Sequence, residues 1–593
     1  MAETDSAHPP FKIGYYIVFQ PGDTGAAVDG RGENRAPGGL ENGEIYRKVG
    51  CELVEAGNLW YDTYILAAAG RGKGEITLTS AQICIVISIV IYMLGMLAIG
   101  VVYTRRSNGV DDFYLGGRKL GPVVTAMSAE ASDMSSWLLM GLPGVAYFTG
   151  LTDAAWTAIG LAIGTYLNWL VVAKRLRRYS VVAGDSITIP EFFSNRFHEK
   201  KRVLMGIAAI VIIVFFIPYT ASGFAACGKL FATILGVDYL TAMLISAAII
   251  TLYTTLGGFM AASVTDLVQS IVMTVALIIV VFFGLQIAGG WDAVIANAES
   301  VPGYLSLDTV TNILTGETTP YGALSIASMI AWGLGYFGMP HILLRFMAIE
   351  NDRKIKLSRR IASTWVVISM AVAILIGVIG FAVSRSGLME VFQSSSAAES
   401  VVVRIAGLLS QHGVTAALMA GVILAGILAC TMSTADSQLL AAASSVSQNL
   451  LQDVFGIKLS NRAAIIVARL TVLAIAGLAC FMARDPNSSV FAIVSFAWAG
   501  FGGTFGPVML FSLFWRRTNR WGALAGMLTG GSMVFIWKFL VRPMGGLWNI
   551  YELLPSFVVA SVVLVAVSLL TGAPEKAVTD DFDKVRHWDA AQG

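Results

Sequence analysis

The sequence predicts an all-α, polytopic membrane protein, and three observations carry that reading. Of 593 residues, 56% are hydrophobic and only 13% are charged, against about 25% charged in a soluble domain. The apolar residues fall in unbroken runs such as 83–102 and 268–287, and a helix crossing hydrocarbon needs roughly 20. Basic residues gather in alternate connections between those runs. Lipid offers the backbone no hydrogen bonds, so runs of this kind must close their own bonds as helices.

About thirteen spans are expected, near 80–103, 121–148, 153–173, 203–233, 238–260, 264–289, 322–348, 360–384, 413–447, 463–482, 488–515, 520–541 and 554–572. Before them, residues 1–76 are polar and Gly-rich, with one short apolar patch at 15–19. This extension is expected to be disordered and receives no function. Met1 is not followed by a charged segment and an apolar core, so no cleavable signal is read there. Residues 77–120 hold the first span and its loop. Residues 121–515 form the expected core, in halves 121–289 and 322–515. Two more spans fill 516–572, and 573–593 is a short tail with no catalytic domain.

The positive-inside bias sets the orientation. Arg105, Arg106, Arg118, Lys119, Lys174, Arg175, Arg177 and Arg178 fall on one side, followed by Lys200, Lys201 and Arg202. Arg353, Lys354, Arg359, Arg516 and Arg517 fall on that side too, whereas 290–321 contains no Lys or Arg. The basic side is therefore cytoplasmic, with the N-terminus outside and the C-terminus inside. Two polar outside loops, 290–321 and 385–412, are long enough to hold short surface helices.

Composition also narrows the function. A net charge of +2 provides no field for nucleic acid. Cys51, Cys84, Cys227, Cys430 and Cys480 form neither a disulfide framework nor a zinc pattern. The five histidines are far apart in sequence, so neither a metal centre nor a membrane enzyme is expected.

The second span carries an unusual polar stretch. Residues 126–136 read AMSAEASDMSS, placing Glu130, Asp133 and four serines near the bilayer centre. Ionisable groups there are costly unless they face a cavity or a partner, and Ser and Asp compete with the helix for backbone bonds. A local unwinding over 131–135 follows. In the seventh span, residues 332–340 read WGLGYFGMP, where three glycines and Pro340 weaken the helix. The two interruptions lie five spans apart, and five is odd, so the second half enters the membrane from the opposite side. Interrupted helices at matching places in inverted halves point to a transporter's binding site. Coincidental kinks are the competing account, since Gly and Pro are common in membrane helices.

A third polar cluster lies in the ninth span, where residues 430–437 read CTMSTADS. The adjacent hydroxyls of Ser433 and Thr434, with carbonyls freed by an unwound helix, would suit a small, hard cation. Back-bonding of both hydroxyls to their own helix is the alternative.

These residues resemble the sodium/solute symporter family, and within it the sodium/proline symporters, over roughly residues 80–572. The resemblance rests on DDFYLGGR at 111–118, ASDMS at 131–135, WLLMGLPG at 137–144, PEFF at 190–193 and NRF at 195–197. Gly257 and Gly258 followed by TDLVQ at 265–269, the stretch 332–346 and MST at 432–434 belong to the same set. The resemblance implies a five-plus-five inverted-repeat fold, with one helix before it and two after. It implies sodium as the co-transported ion, held by carbonyls of Ala131, Met134 and Cys430 and by the hydroxyls of Ser433 and Thr434. It places Trp332, Tyr336, Pro340, Tyr219 and Ser135 at a proline site, with Asp133 and Ser135 supporting coupling and Asp266 on the ion's inward path. Trp332, Tyr336 and Pro340 recur every four residues, so an α-helix would put them on one face; lipid contact or helix packing would explain the same spacing.

Three positions depart from the family pattern. Glu130 stands where a small residue is expected, Met339 where proline carriers often have Gln, and Val264 where Trp is usual. The implied activity is sodium-coupled uptake of L-proline by alternating access in the cell membrane, by a monomer or weak oligomer. The alternative is sodium- or proton-coupled symport of another small solute: a different amino acid, pantothenate, acetate or a sugar.

Overall fold

The computed structural model describes residues 78–104, 114–256 and 258–588. The extension 1–76, residues 111–113 of the DDFYLGGR stretch and Gly257 lie outside the described residues.

Helices dominate, as backbone self-satisfaction in lipid demands. In chain order they are α1 (Ser80–Thr104), α2 (Pro122–Ser136), α3 (Leu142–Thr149), α4 (Leu151–Val182), α5 (Ile189–Arg196), α6 (Val203–Leu235) and α7 (Tyr239–Leu256). Then come α8 (Phe259–Ile287), α9 (Trp291–Glu299), α10 (Ala323–Ile330), α11 (Pro340–Ala348) and α12 (Ile355–Arg385). After α13 (Ser395–Ala398) and α14 (Val401–Leu409) follow α15 (Val414–Val454), α16 (Asn461–Met482), α17 (Val490–Phe514), α18 (Arg520–Ile536), α19 (Leu553–Leu570) and α20 (Lys576–Arg586). Ten described helices are long and apolar enough to cross a membrane, and the pair 323–337 plus 340–348, bent by 45°, passes the same test when taken as one broken helix. The remaining two expected positions hold 122–149, broken at Ser135, and the 18-residue α7.

Both interruptions are present, with narrower geometry than the sequence suggests. α2 keeps helical dihedrals up to Met134; only Ser135 departs, at φ 43° and ψ −172°. The unwinding expected over 131–135 is thus one strained residue followed by a widened turn at Trp137–Gly141. In the second break, α10 tightens into a 3-10 turn over Ala331–Phe337, and Met339 is extended. Pro340 opens α11 at its first turn, where a missing N–H costs nothing. It starts a helix here and does not distort one from within.

Small residues let the broken helices pack closely. A Cβ on Gly164 would lie 2.3 Å from the Gly333 carbonyl oxygen, and one on Gly160 would lie 2.5 Å from that of Ile330. A Cβ on Gly377 would lie 2.4 Å from the Pro143 carbonyl oxygen. α15 runs through the interior, packed against α1, α2, α6 and α8.

The two long loops hold the expected short helices: α9 in one, α13 and α14 in the other. The first also carries an unforeseen hairpin, β1 (Thr309–Thr311) paired antiparallel with β2 (Thr318–Pro320) in the register Val310↔Thr319. Between α13 and α14, Glu399 is buried and caps α17: its carboxylate accepts from the backbone N–H groups of Val490 and Phe491, both at 3.0 Å, and from Lys229 Nζ at 2.8 Å. An anion at a helix N-terminus complements the unsatisfied N–H groups and the dipole. The tail, read from the sequence only as short, carries α20, which buries Val578, Phe582 and Val585.

Candidate functional site

α2 stops being helical beside α15, and the two are tied there by one hydroxyl. Ser433 Oγ donates to the Ala131 carbonyl at 2.7 Å and, within its own helix, to the Cys430 carbonyl at 3.2 Å. Back-bonding therefore occurs, but the shorter bond crosses between helices. Thr431, two residues earlier, bonds its own helix at the Ile427 carbonyl. Thr434 does not: its Oγ1 is buried without a partner. A buried orphan hydroxyl costs about 1–3 kcal/mol, and this one is on the residue next to Ser433. The Met134 carbonyl accepts from the Trp137 N–H.

The side chain next to this group is Asp133. Tyr336 Oη donates to its Oδ2 at 2.5 Å, and Tyr219 Oη donates to its carbonyl at 3.2 Å. The Ser135 hydroxyl turns back to accept from the Trp137 N–H at 3.2 Å. Four of the expected site residues on three separate helical segments are thus brought into direct contact around the α2 break.

Trp332 lies in an aromatic wall. Its ring is 5.7 Å from Trp137, 5.3 Å from Phe491 and stacked on Tyr551 at 5.0 Å. Its carbonyl accepts from Trp498 Nε1 at 2.7 Å, and Trp498 meets the Tyr336 ring edge-on at 5.1 Å. The shared-face expectation for Trp332, Tyr336 and Pro340 fails in detail, because a 3-10 turn has three residues per turn, not 3.6. Trp332 turns to the aromatic wall and Tyr336 to Asp133. Pro340 is buried at the start of α11.

Asp266 and Glu130 lie in separate clusters. Asp266 pairs with Arg345 at 3.1 Å, both side chains at most 2% exposed. Ser128 Oγ donates to Asp266 Oδ2 at 2.7 Å, and Arg345 also reaches Ser128, Ser437 and the His341 carbonyl. Glu130 Oε1 accepts from Trp169 Nε1 at 2.9 Å, while its Oε2 has no partner.

Sequence reasoning missed Arg345, the Lys229–Glu399 pair and the aromatic partners Trp137, Phe491, Trp498 and Tyr551. Arg345 had a usable signal, an arginine inside the apolar run after Pro340. Trp137 opens the WLLMGLPG stretch just after the α2 break, whereas nothing local marks Phe491, Trp498 and Tyr551, which come from distant segments.

The family model described as "Sodium:solute symporter family" matches residues 113–530. This chain belongs to the sodium:solute symporter family. The sodium/proline symporter of Haemophilus influenzae is 43% identical over 501 residues, covering 84% of this symporter and 97% of that protein. The high-affinity proline transporter PutP of Bacillus subtilis is 43% identical over 489 residues, covering 82% and 98%. Among solved structures, a substrate-bound, outward-open Na+-coupled sialic acid symporter matches with a TM-score of 0.67 at 15% identity, covering 85% of this chain and all of that one. That likeness bears on architecture, and it is the five-plus-five transporter fold expected for the family.

Proposed function

We propose that this symporter couples sodium entry to uptake of L-proline by alternating access, in the cell membrane, with the N-terminus outside and the C-terminus in the cytoplasm. The observation that carries the ion site is the oxygen cluster where α2 breaks. The Ser433 hydroxyl lies within hydrogen-bond reach of both the Ala131 and the Cys430 carbonyls, with the unpartnered Thr434 hydroxyl on the next residue. Unwound backbone carbonyls are the usual sodium ligands of broken-helix transporters, and the Met134 carbonyl completes the proposed set.

The cargo site is read from Trp332, Tyr336, Pro340, Tyr219 and Ser135. An aromatic wall suits an apolar pyrrolidine ring, and a broken helix presents N–H groups to a carboxylate. Asp133 receives Tyr336 on its side chain and Tyr219 on its carbonyl. It therefore links pocket to ion site, and sodium binding would order both. Relatives at about 40% identity named as proline carriers support this cargo over other solutes.

The energetics allow it with one ion. One charge crossing 100 mV releases about 2.3 kcal/mol, and a tenfold sodium gradient adds about 1.4 kcal/mol. Together they sustain an accumulation of several hundred-fold. The test is radiolabelled proline uptake into proteoliposomes with an inward sodium gradient, against choline replacement at fixed pH. Proline accumulation that does not respond to sodium removes the ion assignment. Sodium-driven uptake that other solutes inhibit and proline does not removes the cargo assignment.

A further inference from the structure

Away from the transport site, several buried donors around α20 lack partners. Arg196, at the end of α5, is 1% exposed. Its Nε donates to the Ser512 carbonyl at 2.9 Å, which fixes the guanidinium, while Nη1 and Nη2 have no partner. Arg175 Nε, Tyr179 Oη and Ser512 Oγ are also buried and unpartnered.

These groups converge. The Arg196 Cζ lies 4.8 Å from the Tyr179 ring centre and 5.7 Å from that of Phe582. The Arg175 Cζ lies 4.8 Å from the same Phe582 ring. Two guanidiniums thus lie against one aromatic ring of α20, and Arg196 also touches Tyr179 and Ser512. Burial pushes Arg196 down to about 10, so it stays charged at neutral pH.

The carboxylates of α20 are engaged elsewhere or exposed. Asp581 bonds His198 and Lys584, each within 3 Å. Asp583 is held below the usual carboxylate range by hydrogen bonds from Arg516, and Asp580 is exposed. The Asp581 charge still acts on Arg196, but both terminal nitrogens of that guanidinium stay without a hydrogen-bond partner, and buried unpaired donors are costly. The rings attract the cations from their faces and leave the in-plane N–H groups unused. A tetrahedral oxyanion accepts several such bonds at once, and a guanidinium fork fits it bidentately.

We infer that Arg175, Arg196, Tyr179 and Ser512 form a binding site for a phosphate-type oxyanion, and that its occupancy holds α20 against the end of α4. The ligand is a phosphate group with free terminal oxygens, either inorganic phosphate or the phosphomonoester headgroup of an anionic lipid. Basic pockets on the cytoplasmic side of membrane proteins bind such headgroups.

Hydrogen exchange of residues 576–586 tests this without reference to cargo. The full chain is placed in phosphatidylcholine nanodiscs and titrated with inorganic phosphate. A second preparation contains phosphatidic acid in phosphate-free buffer. At a ligand concentration of 100 times Kd, exchange of α20 is expected to slow by about 100-fold. Slowing by phosphate alone assigns the free ion, and slowing by phosphatidic acid assigns the lipid. No slowing in either, or equal slowing by chloride at matched ionic strength, overturns the site. R175Q and Y179F are each expected to weaken the effect by about tenfold, as loss of one hydrogen bond to a charged group would. Unchanged titrations in both variants overturn the residue assignment.

Discussion

Ser433 and Thr434 differ in what their hydroxyls do, so their removal has different consequences. In Ser433→Ala the Ala131 carbonyl loses its bond across to α15 as well as a neighbouring ligand. In Thr434→Ala only an unpartnered oxygen goes. Both substitutions are expected to raise the sodium concentration for half-maximal uptake by about 5- to 100-fold, the equivalent of 1–3 kcal/mol. Uptake measured against sodium concentration reads this directly, and Ser433→Ala should show the larger shift. Trp332→Ala removes stacking on Trp137, Phe491 and Tyr551, at about 0.5–1.5 kcal/mol per aromatic pair. Proline binding, measured by equilibrium binding at saturating sodium, should weaken at least tenfold with sodium affinity little changed; the reverse pattern would detach Trp332 from the cargo site. Asp266→Asn leaves Arg345 as a buried cation without its carboxylate. A loss of about 3–5 kcal/mol is expected, visible as a lower unfolding temperature in detergent. D266N combined with R345M should lose less than the two single changes summed.

At the scale of helices, the positions of the breaks were legible because their causes are local: serines and carboxylates in one, glycines and proline in the other. Their form was not. Whether WGLGYFG relaxes into a loop or tightens into a 3-10 turn depends on what packs beside it. Here Gly160 and Gly164 of α4 press against Ile330 and Gly333. Neither glycine of α4 carries a signal in sequence, since an isolated Gly in a membrane helix is unremarkable. Gly164→Ala would push its methyl carbon into the Gly333 backbone, so α4 and the broken span must separate. Transport is expected to be abolished, with the protein still inserted; robust uptake by that variant would overturn the role of this close crossing. The Lys229–Glu399 pair was invisible for a related reason. Its members lie 170 positions apart, and only the fold brings the acid to the start of α17.

For the whole molecule, charge asymmetry and hydropathy outline the arrangement of spans, because both are sums over many residues and tolerate local error. They also set an orientation that can be checked. On a Cys51→Ser background, T315C in the hairpin loop is expected to react with a membrane-impermeant maleimide in intact cells, and A573C to react only after permeabilisation. Labelling of A573C from outside would invert the topology. What those sums could not foresee is α20. Its short amphipathic pattern contributes little hydropathy, and it is held by aromatic and cationic side chains from α4, α5 and the stretch after α17.

The glycine crossing also limits what such a carrier could evolve to move. Where two main chains touch, no side chain remains to be trimmed, and the wall behind Tyr336 has no slack. Gly335 is equally hemmed in, since a methyl carbon there would sit 2.0 Å from Trp498 Nε1. Descendants adapting to bulkier molecules would have to carve space from Trp137 and Phe491, so a shift in diet should leave its mark on those two positions first.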